Sequence, residues 1–115
     1  MPFVTKRAYD APKASDGFRV LVDRLWPRGL SKPSLKLDAW MRDLAPSTEL
    51  RRWFHDDMTQ WPEFRKRYFQ ELKAHADLVE ELRAKSRART VTLIYAKRDE
   101  LHNNAAALKE YLERS

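Results

Sequence analysis

Two short runs constrain this chain more than anything else in it: Val20-Leu21-Val22, inside Phe18 to Arg24, and the β-branched and aromatic TVTLIYA of Thr90 to Ala96. Both read as strands in which successive residues are apolar without alternation, the pattern of strands covered on both faces, as in a sheet sandwiched by helices. The chain between them carries helical periodicity. A strand, a helical crossover and a second buried strand make a parallel unit, because a crossover of that kind returns the chain to the same end of the sheet. A third extended segment, Phe3 to Tyr9, precedes them, and its direction is open because the link DAPKASDG is too short to hold a helix of its own. The expected class is therefore α/β: a small, mostly parallel sheet of about three or more strands packed with about four helices.

The helices follow from spacing. Leu37, Trp40, Met41 and Leu44 fall at i, i+3, i+4 and i+7 and predict a helix that Pro46 stops. Leu50, Trp53 and Phe54 repeat the spacing behind Ser47, a residue suited to cap a helix start. Phe64, Tyr68, Phe69, Leu72, Ala76, Val79 and Leu82 continue one stripe, with Pro62 in its first turn. The last element, Asn103 to Glu113, sets Ala105, Leu108, Tyr111 and Leu112 on one side. At 115 residues the chain has room for one core, so residues 1–115 are expected to form a single domain.

The chain has no cysteine, which excludes disulfides, thiolate nucleophiles and sulfur-ligated metals. PRGLSK lacks the spacing of a P-loop, and neither GxGxxG nor GxSxG occurs, so no cofactor is expected. His55, His75 and His102 show no ligand spacing, and no metal is expected either; His55-Asp56-Asp57 reads as a helix end at the surface. No apolar run is long enough for a membrane span and the N-terminus does not have the layout of a signal peptide, so the expected location is cytoplasmic, with no membrane partner. The net charge of +6 favours anionic partners, from phosphate-like small molecules to nucleic acid.

In open parallel sheets, ligands bind beyond the carboxyl ends of the strands. That rule selects Asp23-Arg24-Leu25-Trp26-Pro27-Arg28-Gly29 after the second strand and Lys97-Arg98-Asp99-Glu100-Leu101-His102-Asn103-Asn104 after the third. Arg24 and Arg28 offer guanidinium forks and Lys97 a point charge, which together would cradle an anion, with Asp23 and Asp99 as supporting carboxylates. His102 is the candidate acid or base, and Asn103 and Asn104 could orient a bound group. Trp26, in a loop between two arginines, suggests a stacking surface or lid, whereas Trp40, Trp53 and Trp61 read as core.

VDRLWPRGLSK, LAPSTELRRWFHDD, WPEFRKRY and LIYAKRDELHNNAAALKEYL, in that order, resemble the YeaO-like branch of the bacterial family called domain of unknown function 488. The resemblance runs from about Arg7 to Leu112, and it implies a small α/β fold without an assigned activity. It implies that Asp23, Arg24 and Pro27 correspond to the family's Val-Asp-x-Arg followed by a Pro, although here the arginine follows Asp23 at once and Leu25 and Trp26 come directly after it. Relatives outside this branch carry Cys-His-Arg where the final helix begins; this chain has His102-Asn103-Asn104-Ala105 there, so no thiol role carries over.

Three functions follow as expectations. The first is a basic anion-binding pocket at the carboxyl edge of the sheet, serving an enzyme of phosphorylated or nucleotide-like substrates if it is catalytic. The second is a nucleic-acid-binding module, in which the basic surface would extend over Lys6, Arg7, Lys32 and Lys36 and Trp26 would stack on a base. The third is a non-catalytic protein-interaction domain.

Overall fold

The computed structural model describes residues 3–114. Its centre is a four-stranded sheet in the order β1-β4-β2-β3, made of β1 (Phe3–Arg7), β2 (Phe18–Leu21), β3 (Ala39–Trp40) and β4 (Val91–Tyr95). Every pairing is parallel: Phe3 faces Val91 and Phe18 faces Val91 across β4, and Val20 faces Ala39 across β3. The first strand, whose direction the sequence left open, thus runs with the others. All four carboxyl ends lie on one edge.

Alternation along the strands divides the interior in two. Phe3, Phe18, Val20, Val91, Leu93 and Tyr95 join the larger core, beneath α2 (Thr48–Asp56), α3 (Trp61–Leu72), α4 (Ala76–Ala88) and α5 (Asn104–Glu113). Leu21 and Ile94 point to the other face, where they meet Ala8 and Leu35 with Trp26, Leu30, Leu37 and Trp40 around them. Both faces of β2 and β4 are covered, but the helices lie on one of them. The second cover is irregular chain with a single helical turn, α1 (Lys32–Leu35), in place of the expected helical layer.

The segment from Leu37 to Leu44 is a correction to the expected helix. Ala39 and Trp40 form an edge strand, and Arg42–Leu44 make one 3-10 turn. A helix would have put the four apolar residues on one face. Instead Leu37 and Trp40 serve the smaller core and Met41 and Leu44 the larger, because the chain passes around the edge of the sheet.

The long stripe after Pro62 is also divided: α3 ends at Leu72, Lys73–His75 form a 3-10 turn, and α4 follows. A straight helix over this span would be about 40 Å long at 1.5 Å per residue. The longest extent of the molecule is 36 Å. Ser47 caps α2 by accepting from the Leu50 N–H, and Asn103 caps α5 by accepting from Ala106.

The link from β1 to β2 crosses β4 on the face away from the helices, where Thr92 Oγ1 donates to the Asp16 carbonyl at 2.6 Å. There the buried Asp16 carboxylate takes the Lys6 ammonium at 3.0 Å, Arg19 at 2.6 Å and the Lys13 N–H at 2.9 Å. Arg19 spends its remaining donors on the Leu35 and Lys36 carbonyls. Each buried charge in this network has partners, the condition under which such a group is tolerated inside a protein.

Candidate loop site at the carboxyl edge of the sheet

Asp23 follows β2 and turns back into the sheet. Its Oδ2 accepts the Ala96 N–H at 2.9 Å and its Oδ1 accepts Asn104 Nδ2 at 3.0 Å. The same Asn104 amide donates to the Val22 carbonyl at 2.9 Å, and Trp40 Nε1 donates to the Asp23 carbonyl at 2.7 Å. Burial pushes the Asp23 carboxyl up, against the hydrogen bonds from Asn104 and Ala96 and the charge of Arg51. Asp23 and Asn104 therefore tie the ends of β2 and β4 to the start of α5.

The loop from β4 into α5 is closed in the same manner. Asp99 Oδ1 accepts the N–H groups of both Leu101 and His102 at 2.9 Å, and its Oδ2 lies 3.1 Å from His102 Nδ1. The backbone donors of His102 and Leu101 hold this carboxyl below the usual carboxylate range. Asn103 Nδ2 reaches the Asp99 carbonyl at 2.9 Å while its oxygen caps α5. The chain's own carboxylates and amides thus take several of the donors that a parallel α/β fold offers to an anion.

Lys97 leaves this loop toward α2, its Nζ 4.7 Å from the centre of the Phe54 ring. His102 meets the neighbouring Trp61 edge-on at 5.2 Å, and Phe54 and Trp61 touch at 5.7 Å. Burial pushes the Lys97 ammonium down; Asp99 pulls it back up and Arg51 adds to the depression. Arg51, exposed on α2, is felt by both Asp23 and Lys97.

The other expected residues lie elsewhere. Arg24 donates from Nη2 to the Ala45 carbonyl at 3.3 Å, and its Nε is buried without a partner among the described residues. It lines an open cleft of about 350 Å³ together with Ser47, His75 and the carboxylate residues Asp43, Glu49 and Glu71. Two of those are exposed, whereas Glu71 accepts both the N–H and the hydroxyl of Ser47. On the cleft's inner wall the Tyr68 hydroxyl donates to the Leu44 carbonyl, and burial, with Asp23 and Glu71 nearby, pushes it above its ordinary value. Arg28 is exposed on its loop, its carbonyl accepting the Tyr9 hydroxyl. Trp26 packs edge-on against Trp40 at 5.4 Å and donates to the Leu30 carbonyl at 2.7 Å, inside the smaller core.

The structure thus brings Asp23, Lys97, Asp99, His102, Asn103 and Asn104 to one loop, and directs Arg24, Arg28 and Trp26 away from it. Arg51, Phe54 and Trp61 are the residues sequence reasoning missed here. The helical spacing sets Arg51 off the buried stripe of Leu50 and Phe54, but spacing cannot say that this helix lies over the edge of the sheet. His55 to Asp57 sit at the surface, with Asp57 capping the 3-10 turn Met58–Gln60. Among the described residues, no three His, Cys, Asp or Glu side chains are grouped to hold a metal ion, and no helix is long and apolar enough to cross a membrane.

A parallel α/β domain whose β4–α5 loop is closed by its own Asp and Asn side chains is the class that fold and site define. The chain belongs to the DUF488 family: the family described as "Inactive DUF488-N3 subclade" matches residues 2–115. It is similar to "Uncharacterized protein YeaO" of Escherichia coli (strain K12), 41% identical over 107 residues that cover 93% of each chain. It is also similar to "Uncharacterized protein Rv3073c" of Mycobacterium tuberculosis (strain ATCC 25618 / H37Rv), 41% identical over 106 residues, 92% of this chain and 89% of that one. No solved structure matches it.

Proposed function

We propose that this protein is a non-catalytic binding domain that takes a small phosphate-like anion beside Lys97 and Arg51, at the carboxyl edge of its sheet. One observation carries the reading. The two nearby carboxylates, Asp23 and Asp99, are taken up by backbone N–H groups, Asn104 and His102, while the half-buried Lys97 and the exposed Arg51 form no ion pair among the described residues, although the charge of Asp99 acts on Lys97 more strongly than that of Arg51. Cations without an ion-paired partner in a partly desolvated place gain from an anion that joins them. An incoming phosphate would be such a partner.

Binding without a reaction is what the side chains here support. The chain has no cysteine, and His102 is engaged with Asp99 and Trp61. The description of the subclade as inactive agrees with this reading. A nucleic-acid interface draws less support, because Lys6 is paired with Asp16, and Arg7 donates to the Ala96 and Lys97 carbonyls.

An amide NMR titration with inorganic phosphate tests the proposal. Shifts concentrated at Ala96 to Asn104 and around Arg51, saturating with a single dissociation constant, are expected. Shifts spread evenly over the exposed lysines and arginines would contradict it.

A further inference from the structure

β1 lies at one edge of the sheet, beside β4 alone, and the direction of its peptide groups fixes what it offers outward. Ala8 donates its N–H to the Tyr95 carbonyl at 2.7 Å, in step with the register that sets Arg7 beside Tyr95. Peptide groups alternate in direction along a strand, so Val4 and Lys6 bond to β4, while Phe3, Thr5 and Arg7 turn theirs away from it. Among the described residues these outward groups make one backbone bond, from the Asp10 N–H to the Arg7 carbonyl at 3.1 Å. The N–H and C=O of Thr5, the Phe3 C=O and the Arg7 N–H stay open.

Edge strands are commonly blunted by free charges, prolines or bulges. Between Phe3 and Arg7 there is no proline, and the register with β4 runs unbroken over all five residues. The Lys6 ammonium is drawn back to Asp16 at 3.0 Å, and the Arg7 guanidinium donates to the Ala96 and Lys97 carbonyls, so neither charge guards the edge. Val4, in the strand's first half, is 43% exposed. The opposite edge, β3, is two residues long and too short to template a partner strand.

We infer that β1 is a homodimer surface: it pairs antiparallel with β1 of a second copy about a two-fold axis at Thr5, joining two four-stranded sheets into one. The register follows from the open groups. With Thr5 opposite Thr5 the two residues exchange both N–H···O=C bonds, and each Arg7 N–H meets the Phe3 C=O of the second copy. Of the registers that match outward groups, this one pairs all three positions on both copies. Val4 then lies opposite Lys6 of the second copy, whose aliphatic stem covers it while Asp16 keeps the ammonium. Charge favours a second copy over a foreign acidic strand. With Lys6 and Arg7 both engaged, the edge presents uncharged backbone and Val4, which two copies share without bringing free cations together.

Sedimentation equilibrium of the full chain over a concentration series tests the pairing. The wild type is expected to approach twice the mass of one chain as concentration rises. Thr5→Pro removes an outward N–H and leaves the β4 ladder intact, and Val4→Lys sets a second cation opposite Lys6 of the other copy. Each change counts twice across a two-fold axis, so each should weaken association by about tenfold or more while keeping the wild-type circular dichroism. Because the chain has no cysteine, Val4→Cys places one thiol per copy near the axis, and a short bismaleimide should join the two copies through it. Leu101→Cys, exposed in the β4–α5 loop, should not be joined. A wild type that stays monomeric at every concentration would overturn the proposal and leave the edge to a strand of another protein. A dimer that both variants leave intact, and that crosslinks through Leu101→Cys and not Val4→Cys, would overturn it in favour of another face.

Discussion

At Gly17 the chain comes closest to having no choice. Its φ is +65°, and a Cβ there would lie 2.2 Å from the Thr90 carbonyl oxygen, where β2 begins beside β4. Gly17→Ala should therefore cost more than the roughly 1–3 kcal/mol of a strained backbone alone, read as a lower urea midpoint. One residue earlier, burial pushes Asp16 up, but the Lys13 N–H, Lys6 and Arg19 outweigh it and hold the carboxyl below its ordinary value. Its contribution to stability is then fully present above the unfolded pKa of about 3.9 and is lost as pH falls through the lower folded value. Asp16→Asn should lower stability at neutral pH and flatten the acid limb of a stability-against-pH curve. An unchanged acid limb would mean that another carboxylate governs it. The sequence showed Asp16 only as part of a short polar link; its importance comes from that link crossing β4, which no local pattern reveals.

At the scale of elements, apolar runs were the legible signal. They located β2 and β4 within a few residues, and Ser47 located the start of α2; Asn103, expected to orient a bound group, instead caps α5. The strand β3 was not legible, because Leu37, Trp40, Met41 and Leu44 satisfy helical spacing while in space they divide between two cores. The break between α3 and α4 was hidden for a related reason: the apolar stripe continues through it, and only the size of the molecule forbids a straight helix. Val20 and Leu93 are fully buried, so Val20→Asp and Leu93→Asp should each prevent folding, as an unpaired buried carboxylate costs several kcal/mol against a total of about 5–15. A cooperative transition in either variant would refute the core assignment. Tyr68→Phe is a gentler probe of how α3 is tied to the turn after β3. It should cost about 1–3 kcal/mol by leaving the buried Leu44 carbonyl without its donor.

For the whole molecule, the rule that ligands meet parallel sheets at their carboxyl edge is enough, applied to the sequence alone, to put Asp23, Lys97, Asp99, His102 and Asn104 in one neighbourhood. The rule says nothing of side-chain direction, and so it grouped Arg24, Arg28 and Trp26 with them. Arg51 escaped it, because which helix covers the edge is decided by the packing of α2 and α3 against the sheet. If Lys97 and Arg51 hold an anion there, the melting temperature in phosphate against sodium chloride at matched ionic strength measures it most directly. At a phosphate concentration ten times the dissociation constant, binding to the folded state adds about 1.4 kcal/mol, a rise of roughly 5 °C for a domain of this size. Lys97→Met and Arg51→Gln should abolish that rise, and Arg24→Ala and Arg28→Ala should keep it. An equal rise in all five proteins would mean that phosphate acts as a general stabilising salt, and the anion site would be contradicted.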